Sequence, residues 1–385
     1  MDKGYLFISN TTKPTPEQAA ITEHKVNTFA LAPMLAAKSM GYKLYKGCNC
    51  DHPEQVKDVD FDITFYDQHT YRSILALKDN WIAFRNLCRF LKQHPDIEVI
   101  HCNTPLGGIM GRVCGKLYGV KKVIYTVHGF HFFKGASLFN RTILKWIEFL
   151  IAHWTDALIT MNNEDYAAAQ EMRLRNNGKV FKVHGVGVYS SQYCISVNRN
   201  AIRKELGLPD DIVVCIAMGD VVPRKNYRIA INAIALANNP KLHFLICGRG
   251  TQIEILKQYS RELGIEKQIH FLGFRTDIKE LSLASDFFLF ATLQEGLPRS
   301  TMEAMCAGLP CIVSDVRGNN DLVDEGKGGY LVAPRDAEGF ARAINKLLIS
   351  KEKAKFMGEY NKNKIKEYDM EVVKKEILDI YHQVL

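Results

Sequence analysis

The 385-residue chain contains no apolar run near the ~18 residues that a membrane-spanning helix requires. Its opening stretch, MDKGYLFISNTTKP, lacks a signal-peptide h-region, so a cytoplasmic location is expected. No CxxC occurs among the ten cysteines, and the CNC at Cys48 to Cys50 has no second pair to complete a metal site. Reduced thiols packed as small hydrophobes follow. Lys and Arg number 50 against 42 Asp and Glu, a net +8 with no basic run, which excludes a nucleic-acid arm and suits a phosphorylated ligand or an anionic membrane surface. Neither GxxxxGK[ST] nor GxSxG is present, so a P-loop and a serine-hydrolase elbow are excluded. GRGTQI follows a strand-like run as a dinucleotide fingerprint would, but Ile253 replaces the third glycine, which argues against a nicotinamide enzyme. DVDFD at Asp58 to Asp62 precedes a strand and lies away from any expected cleft, so it is not taken as a metal site. There is no low-complexity tract and no repeat of solenoid length.

What is present is an alternation. From Asp211 onward, IVVCIAMGD, LHFLICGRG, IHFLGF, DFFLFAT, PCIVSD and GGYLV are short apolar runs separated by helical patterns such as YRIAINAIALAN. Continuous apolar strands alternating with helices indicate a parallel sheet covered on both faces. GYLFISN, GYKLYKG, IEVIHCN, KKVIYTVHG, DALITMN and KVFKVHG repeat the theme in the first half. The polar stretch YSSQYCISVNRN, 189–200, is the natural boundary. Two α/β domains are expected, 1–190 and 191–360, followed by an amphipathic terminal helix, 361–385, that needs an apolar surface to cover it.

Ligands of open α/β sheets bind beyond the carboxyl ends of the strands. Three elements of the second domain fall there. Arg224 and Lys225 follow IVVCIAMGD, Arg249 and Gly250 follow LHFLICG, and the loop Gln294 to Pro298 follows DFFLFAT and leads into a helix starting around Arg299 to Met302. Two adjacent cations, a helix N-terminus and glycine-permitted backbone form a cradle for a diphosphate. Glu295 in the loop can accept hydrogen bonds from hydroxyls beyond the phosphates, while Glu303, a turn further on, can take a vicinal diol on the nucleoside side. The competing reading makes Glu303 a first-turn acid and Arg224 and Lys225 a solvated pair.

The E-x7-E of Glu295 and Glu303, PRKN at Pro223 to Asn226, the surrounding GLPRSTMEAMCAGLP and HFLGF at His270 to Phe274 together resemble the retaining glycosyltransferases of family 4. The resemblance covers most of the chain. It implies the GT-B fold, two Rossmann-like domains facing across a cleft, with the C-terminal helix crossing back to the first. It assigns Arg224 and Lys225 to the donor diphosphate, Glu295 with the amides of Gly296 and Leu297 to the donor sugar, and Glu303 to the ribose; Gly219, Gly248, Arg249 and Phe274 complete the donor set. HCNTPLGGIMGR, VIYTVHGFHFFKG and ALITMNNEDYAAA look like the branch that builds capsular or exopolysaccharide units on a lipid carrier, and there His128, ending the strand VIYTVH, would face the reacting sugar.

What the resemblance implies is a metal-independent hexosyl transfer from a nucleotide sugar, a UDP-sugar, to a lipid-linked saccharide. No cofactor, metal or nucleic acid is implied. The cytoplasmic membrane surface is the expected docking partner, with a homo-oligomer or a partner glycosyltransferase as further possibilities. Phe132 to Trp154, with Phe132, Phe133, Leu138, Phe139, Ile143, Trp146 and Phe149 beside Lys134, Arg141 and Lys145, fits an interfacial helix. The start of the chain, CGRG and Asp220 depart from the family's usual pattern. A sugar-nucleotide 2-epimerase of the same architecture, and a catalytically silent partner subunit, are the rival readings.

Overall fold

The computed structural model describes residues 3–385 apart from 21, 59, 72, 74 and 210. The chain forms two compact units, 1–187 joined by 370–385, and 188–369.

In the first unit seven parallel strands, β1 (Gly4–Ile8), β2 (Lys43–Cys48), β3 (Ile63–Asp67), β4 (Ile97–Asn103), β5 (Lys122–Thr126), β6 (Ala157–Thr160) and β7 (Lys179–Lys182), lie in the order β3-β2-β1-β4-β5-β6-β7. β3 is the strand that DVDFD precedes, and Asp58 there closes a turn by accepting the Asp60 amide at 2.9 Å. Val59, inside that motif, lies outside the described residues. The central strands are buried except at Glu98 and Lys122, as runs flanked by helices on both faces require. Helix α1 (Thr28–Ser39) follows β1; α2 (Leu77–Gln93), α3 (Pro105–Leu117) and α4 (Lys145–Ala152) cover the sheet, with α3 in contact with both α2 and α4. A buried Arg112 on α3 fastens α4: its Nη1 meets Glu148 at 2.8 Å, and its guanidinium lies 3.9 Å over the Tyr125 ring.

The apolar stripe expected over 132–154 divides. Phe132 and Phe149 pack against the core, whereas Leu138 and Phe139, just before a π-helical turn (Asn140–Leu144), Ile143 on it, and Trp146 and Leu150 on α4 stay exposed. Positions 139, 143, 146 and 150 follow helical spacing, so they share one outward stripe.

The second unit holds β8 (Val213–Met218), β9 (Leu242–Cys247), β10 (Ile269–Gly273), β11 (Phe287–Phe290), β12 (Cys311–Ser314) and β13 (Gly329–Val332) in the order β10-β9-β8-β11-β12-β13, all parallel. Two apolar clusters, one around Ile231 and Phe340 and one around Met302 and Phe288, fill its two faces. Helix α5 (Tyr227–Ala237) follows β8 and α6 (Arg299–Cys306) follows β11.

The terminal segment differs from the expected single helix over 361–385. Asn361 donates from Nδ2 to the carbonyls of Leu309 and Gly328 at 2.8 and 2.7 Å, and Ile365 and Tyr368 are buried in the second unit's core. Those contacts keep 361–369 in that unit. An extended Asp369, whose carboxylate accepts the Ser190 amide at 3.1 Å, ends the run. The returning helix, α7 (Met370–Val384), starts there and packs on α1, where Tyr381 is fully buried against Tyr5 and His101.

Candidate active site

The order of the second sheet reverses at β8 and β11: β9 and β10 lie to one side of β8, β12 and β13 to the other side of β11. The crevice beyond the carboxyl ends of such a pair is where an α/β sheet offers room for a ligand. Arg224 and Lys225 enter it on a short 3-10 turn, Pro223–Lys225, that β8 leads to; Glu295 enters from the loop after β11. The two loops are tied together. Asn226, with φ 53°, donates from Nδ2 to the carbonyls of Ala291 and Pro334 at 2.9 and 2.8 Å, and the Leu293 amide donates to the Arg224 carbonyl at 2.9 Å.

One carboxylate oxygen organises the centre. Glu295 Oε1 accepts from Lys225 Nζ at 2.8 Å, Thr292 Oγ1 at 2.7 Å and Arg224 Nη1 at 3.1 Å. Arg317 Nε donates to the Glu295 carbonyl at 2.9 Å and so fixes the backbone beneath it. Lys225 and Glu295 are each only 9% exposed, and the Lys225 ammonium lies 4.6 Å over the Phe290 ring. Burial pulls the Lys225 pKa below the ordinary ammonium value; the Glu295 charge acts the other way. Arg224 keeps 45% of its side chain in solvent. The solvated-pair reading therefore holds for Arg224 at most. The cluster carries two cations against one carboxylate, a surplus positive charge in a confined place, which is what an incoming diphosphate needs.

Glu303 is not part of that cluster. It pairs with Arg299 one turn back on α6 (Nε to Oε1, 2.9 Å), and burial pushes its carboxyl above the usual range, with Arg299 pulling it down. Tyr193 stands close enough for the Glu303 charge to raise its phenol further, after burial. The glycines have packing reasons. A Cβ on Gly248 would sit 1.9 Å from the Gly219 carbonyl, and Gly219 itself has φ 132° with Lys225 Nζ 3.7 Å from its Cβ position. A Cβ on Gly318 would fall 2.3 Å from the Gly296 carbonyl, so the loop after β12 backs directly onto Gly296 and Leu297. Arg249 lies 5.2 Å over the exposed Phe274 ring.

In the first unit β5 ends at Thr126, two residues before His128, so His128 lies in the loop beyond the strand and not at its end as expected. It is half-buried and meets the Phe29 ring edge to face at 4.9 Å. Thr292 and Arg317 are not singled out in the sequence, and Asn226 stands there within PRKN without an assigned role. The rule that singled out the loops after β8, β9 and β11 applies equally to the one after β12, where Arg317 lies, and a polar Thr292 closing the apolar DFFLFAT is a signal of the same kind. Among the described residues, no three His, Cys, Asp or Glu side chains gather as a metal site would require.

Two Rossmann-like sheets, the second with a cation–carboxylate cluster at its switch point, are the architecture of the GT-B class. Residues 198–364 match the model for glycosyl transferases group 1, and residues 36–181 match the model for glycosyltransferase family 4. The UDP-Gal:alpha-D-GlcNAc-diphosphoundecaprenol alpha-1,3-galactosyltransferase of Escherichia coli is 32% identical over 279 residues, 71% of each chain. EpsD of Bacillus subtilis (strain 168), a glycosyltransferase by designation only, is 28% identical over 94% of each chain. The chain therefore belongs to the group 1 glycosyl transferases. Solved structures share the fold at low identity. Alr3699/HepE of Anabaena, determined in complex with UDP, superposes with a TM-score of 0.76 at 18% identity over 99% of this chain and 100% of that one. Sucrose-phosphate synthase of Thermosynechococcus elongatus gives 0.77 at 18% identity over 99% of each.

Proposed function

We propose that the protein transfers a hexose from a UDP-sugar to a saccharide carried on a lipid diphosphate, with retention of anomeric configuration and without a metal ion. The observation that carries this reading is the three-donor arrangement on Glu295 at the switch point of the second sheet. As the sugar–phosphate bond breaks, negative charge grows on the departing diphosphate. Arg224, Lys225 and the first amides of α6 are the groups that would stabilise it, and preorganised charges in a dry crevice contribute a few kcal/mol to such a step. In that role they replace the charge a divalent ion would supply. Glu295, released from part of its ion pairing by the competing diphosphate, would orient the sugar; His128 would face the reacting sugar, and Glu303 the ribose. With no nucleophile assigned, reaction on one face of the sugar, assisted by the leaving diphosphate, accounts for retention.

The lipid-linked acceptor is supported by the Escherichia coli relative's name and by the outward stripe of Leu138, Phe139, Ile143, Trp146 and Leu150 beside Lys134, Arg141 and Lys145. Aromatics and cations at helical spacing suit an anionic interface, so reversible docking on the inner face of the cytoplasmic membrane is part of the proposal. No helix among the described residues is long and apolar enough to cross a membrane. Incubation with a panel of nucleotide sugars and lipid-diphosphate saccharides, followed by mass measurement of the lipid, tests the reading. A mass gain of one hexose with UDP release is expected. Conversion of the nucleotide sugar without any acceptor would instead establish an epimerase, and turnover only on addition of a second glycosyltransferase would establish a silent partner.

A further inference from the structure

Three buried amide side chains at the carboxyl edge of the first sheet, Asn10, Gln68 and Asn103, keep a carbonyl oxygen with no hydrogen-bond partner among the described residues, and Asn10 and Asn103 follow neighbouring strands. Asn103 is the last residue of β4 and Asn10 lies two residues beyond β1, its neighbour, with Ile8 opposite Cys102 in the register. Asn103 is 1% exposed and Asn10 6%, yet Oδ1 of each has no hydrogen-bond partner among the described residues. A buried acceptor left unmade costs roughly 1–3 kcal/mol, so two on adjoining strands ask for an explanation. Thr104 ties the two backbones. It adopts φ 67°, a strained value for a β-branched residue, while its Oγ1 accepts the Asn10 amide at 2.9 Å and donates to the Asn103 carbonyl. Pro105 then opens the 13-residue α3, whose first amides have no partner within the helix.

We propose that Asn10 and Asn103 bind hydroxyl groups of the acceptor saccharide. A ligand at this edge would donate to each of these carbonyl oxygens and can accept from the amides that open α3. A hydroxyl does both; a phosphate or carboxylate only accepts and would face the two oxygens with its own charge. Asn103 also pairs in register with Thr126, two residues before His128, so the site adjoins the loop that carries His128. This inference rests on the acceptor reading above and supplies the residues that would select its hydroxyl pattern.

The test uses the full chain saturated with UDP and, as probes, the methyl α-glycosides of glucose, galactose and N-acetylglucosamine at millimolar concentration, followed by saturation-transfer NMR. Asn103→Leu and Asn10→Leu keep the branched shape of the side chain, at a larger volume, and remove the polar group. At least one glycoside should bind the wild type, and each variant should weaken it by tenfold or more while UDP affinity, measured by calorimetry, stays within twofold and the thermal midpoint does not fall. Asn103→Ser, which restores a hydroxyl-bonding group, should recover part of the binding. If both Leu variants bind the glycosides as well as wild type does, the orphaned oxygens hold only buried water and the proposal is overturned; it is equally overturned if no glycoside binds a wild type that still binds UDP. A wild type that fails to bind UDP at all would instead count against the donor reading.

Discussion

Replacing Glu295 by Gln isolates what its charge does, because the amide keeps an accepting oxygen for Lys225 and Thr292 and removes only the negative charge. At 2.8 Å, with an effective dielectric of about 20, the Lys225–Glu295 attraction is on the order of 6 kcal/mol before desolvation is counted. The net effect of deleting one partner of a buried pair is smaller, about 3–5 kcal/mol, and the surviving hydrogen bonds put this variant near the lower figure. Ligand-free Glu295→Gln should therefore lose about 3 kcal/mol in the unfolding transition of the second unit. Diphosphate can then take the vacated role, since Arg224 and Lys225 remain and no carboxylate competes. UDP should bind the variant at least as tightly as wild type, so at one UDP concentration it should stabilise the variant at least as much as wild type, by roughly 2.7 kcal/mol at a hundred times Kd. Turnover should fall by about a hundredfold or more, because the sugar-orienting group is gone. Denaturant melts with and without UDP, together with UDP calorimetry, decide the matter. A variant as stable as wild type that binds UDP tenfold more weakly would refute the competition between Glu295 and the diphosphate.

Other outcomes follow from the same contacts. Chelator should leave transfer unchanged if Arg224 and Lys225 neutralise the leaving group, and activity restored only by magnesium or manganese would reject that role. Glu303 has its carboxyl raised by burial, so the stability it contributes is present at low pH and is lost as pH rises through its elevated pKa; Glu303→Gln should remove that fall in pH-dependent melts and weaken UDP binding several-fold. His101, fully buried and brought down to about 3 mainly by desolvation, opposes folding as pH falls from 6.5 towards that value, since only the unfolded chain takes the proton there. Acid melts of the first unit should steepen across that window, and His101→Gln should flatten them. Arg141→Glu with Lys145→Glu should abolish binding to anionic vesicles at low salt, whereas vesicle binding unaltered by the pair would remove this stripe as the docking surface.

How much of this was open to a reader of the sequence depends on how local its cause is. The strands of the second unit could be read because each is a continuous apolar run, and both faces of the sheet are in fact covered. Arg224, Lys225 and Glu295 could be picked out because the ends of parallel strands face the ligand side of any such sheet. What could not be read was their mutual pairing, which depends on the order of β8 and β11 and on Asn226 drawing the two loops together. The terminal helix failed in a similar way. Its apolar period runs without a break from 364 to 385, but Asn361, Ile365 and Tyr368 belong to one unit and Tyr381 to the other.

The exchange of the C-terminal helix shows how a pattern with one period can serve two bodies. α7 buries Val373, Ile377 and Tyr381 in the first unit, and Tyr381 ends in a network of Tyr5, His101 and Thr126 with oxygen–oxygen or oxygen–nitrogen separations of 2.6 to 2.9 Å. A fully buried polar network is tolerable only if every member is paired. The network is therefore a specificity device as much as a source of stability. An apolar stripe alone would accept α7 in neighbouring registers a turn apart, whereas the phenol of Tyr381 meets both Tyr5 and His101 in one register only. Sequence pattern thus sets that the helix must be covered, and three hydroxyls and one imidazole set where.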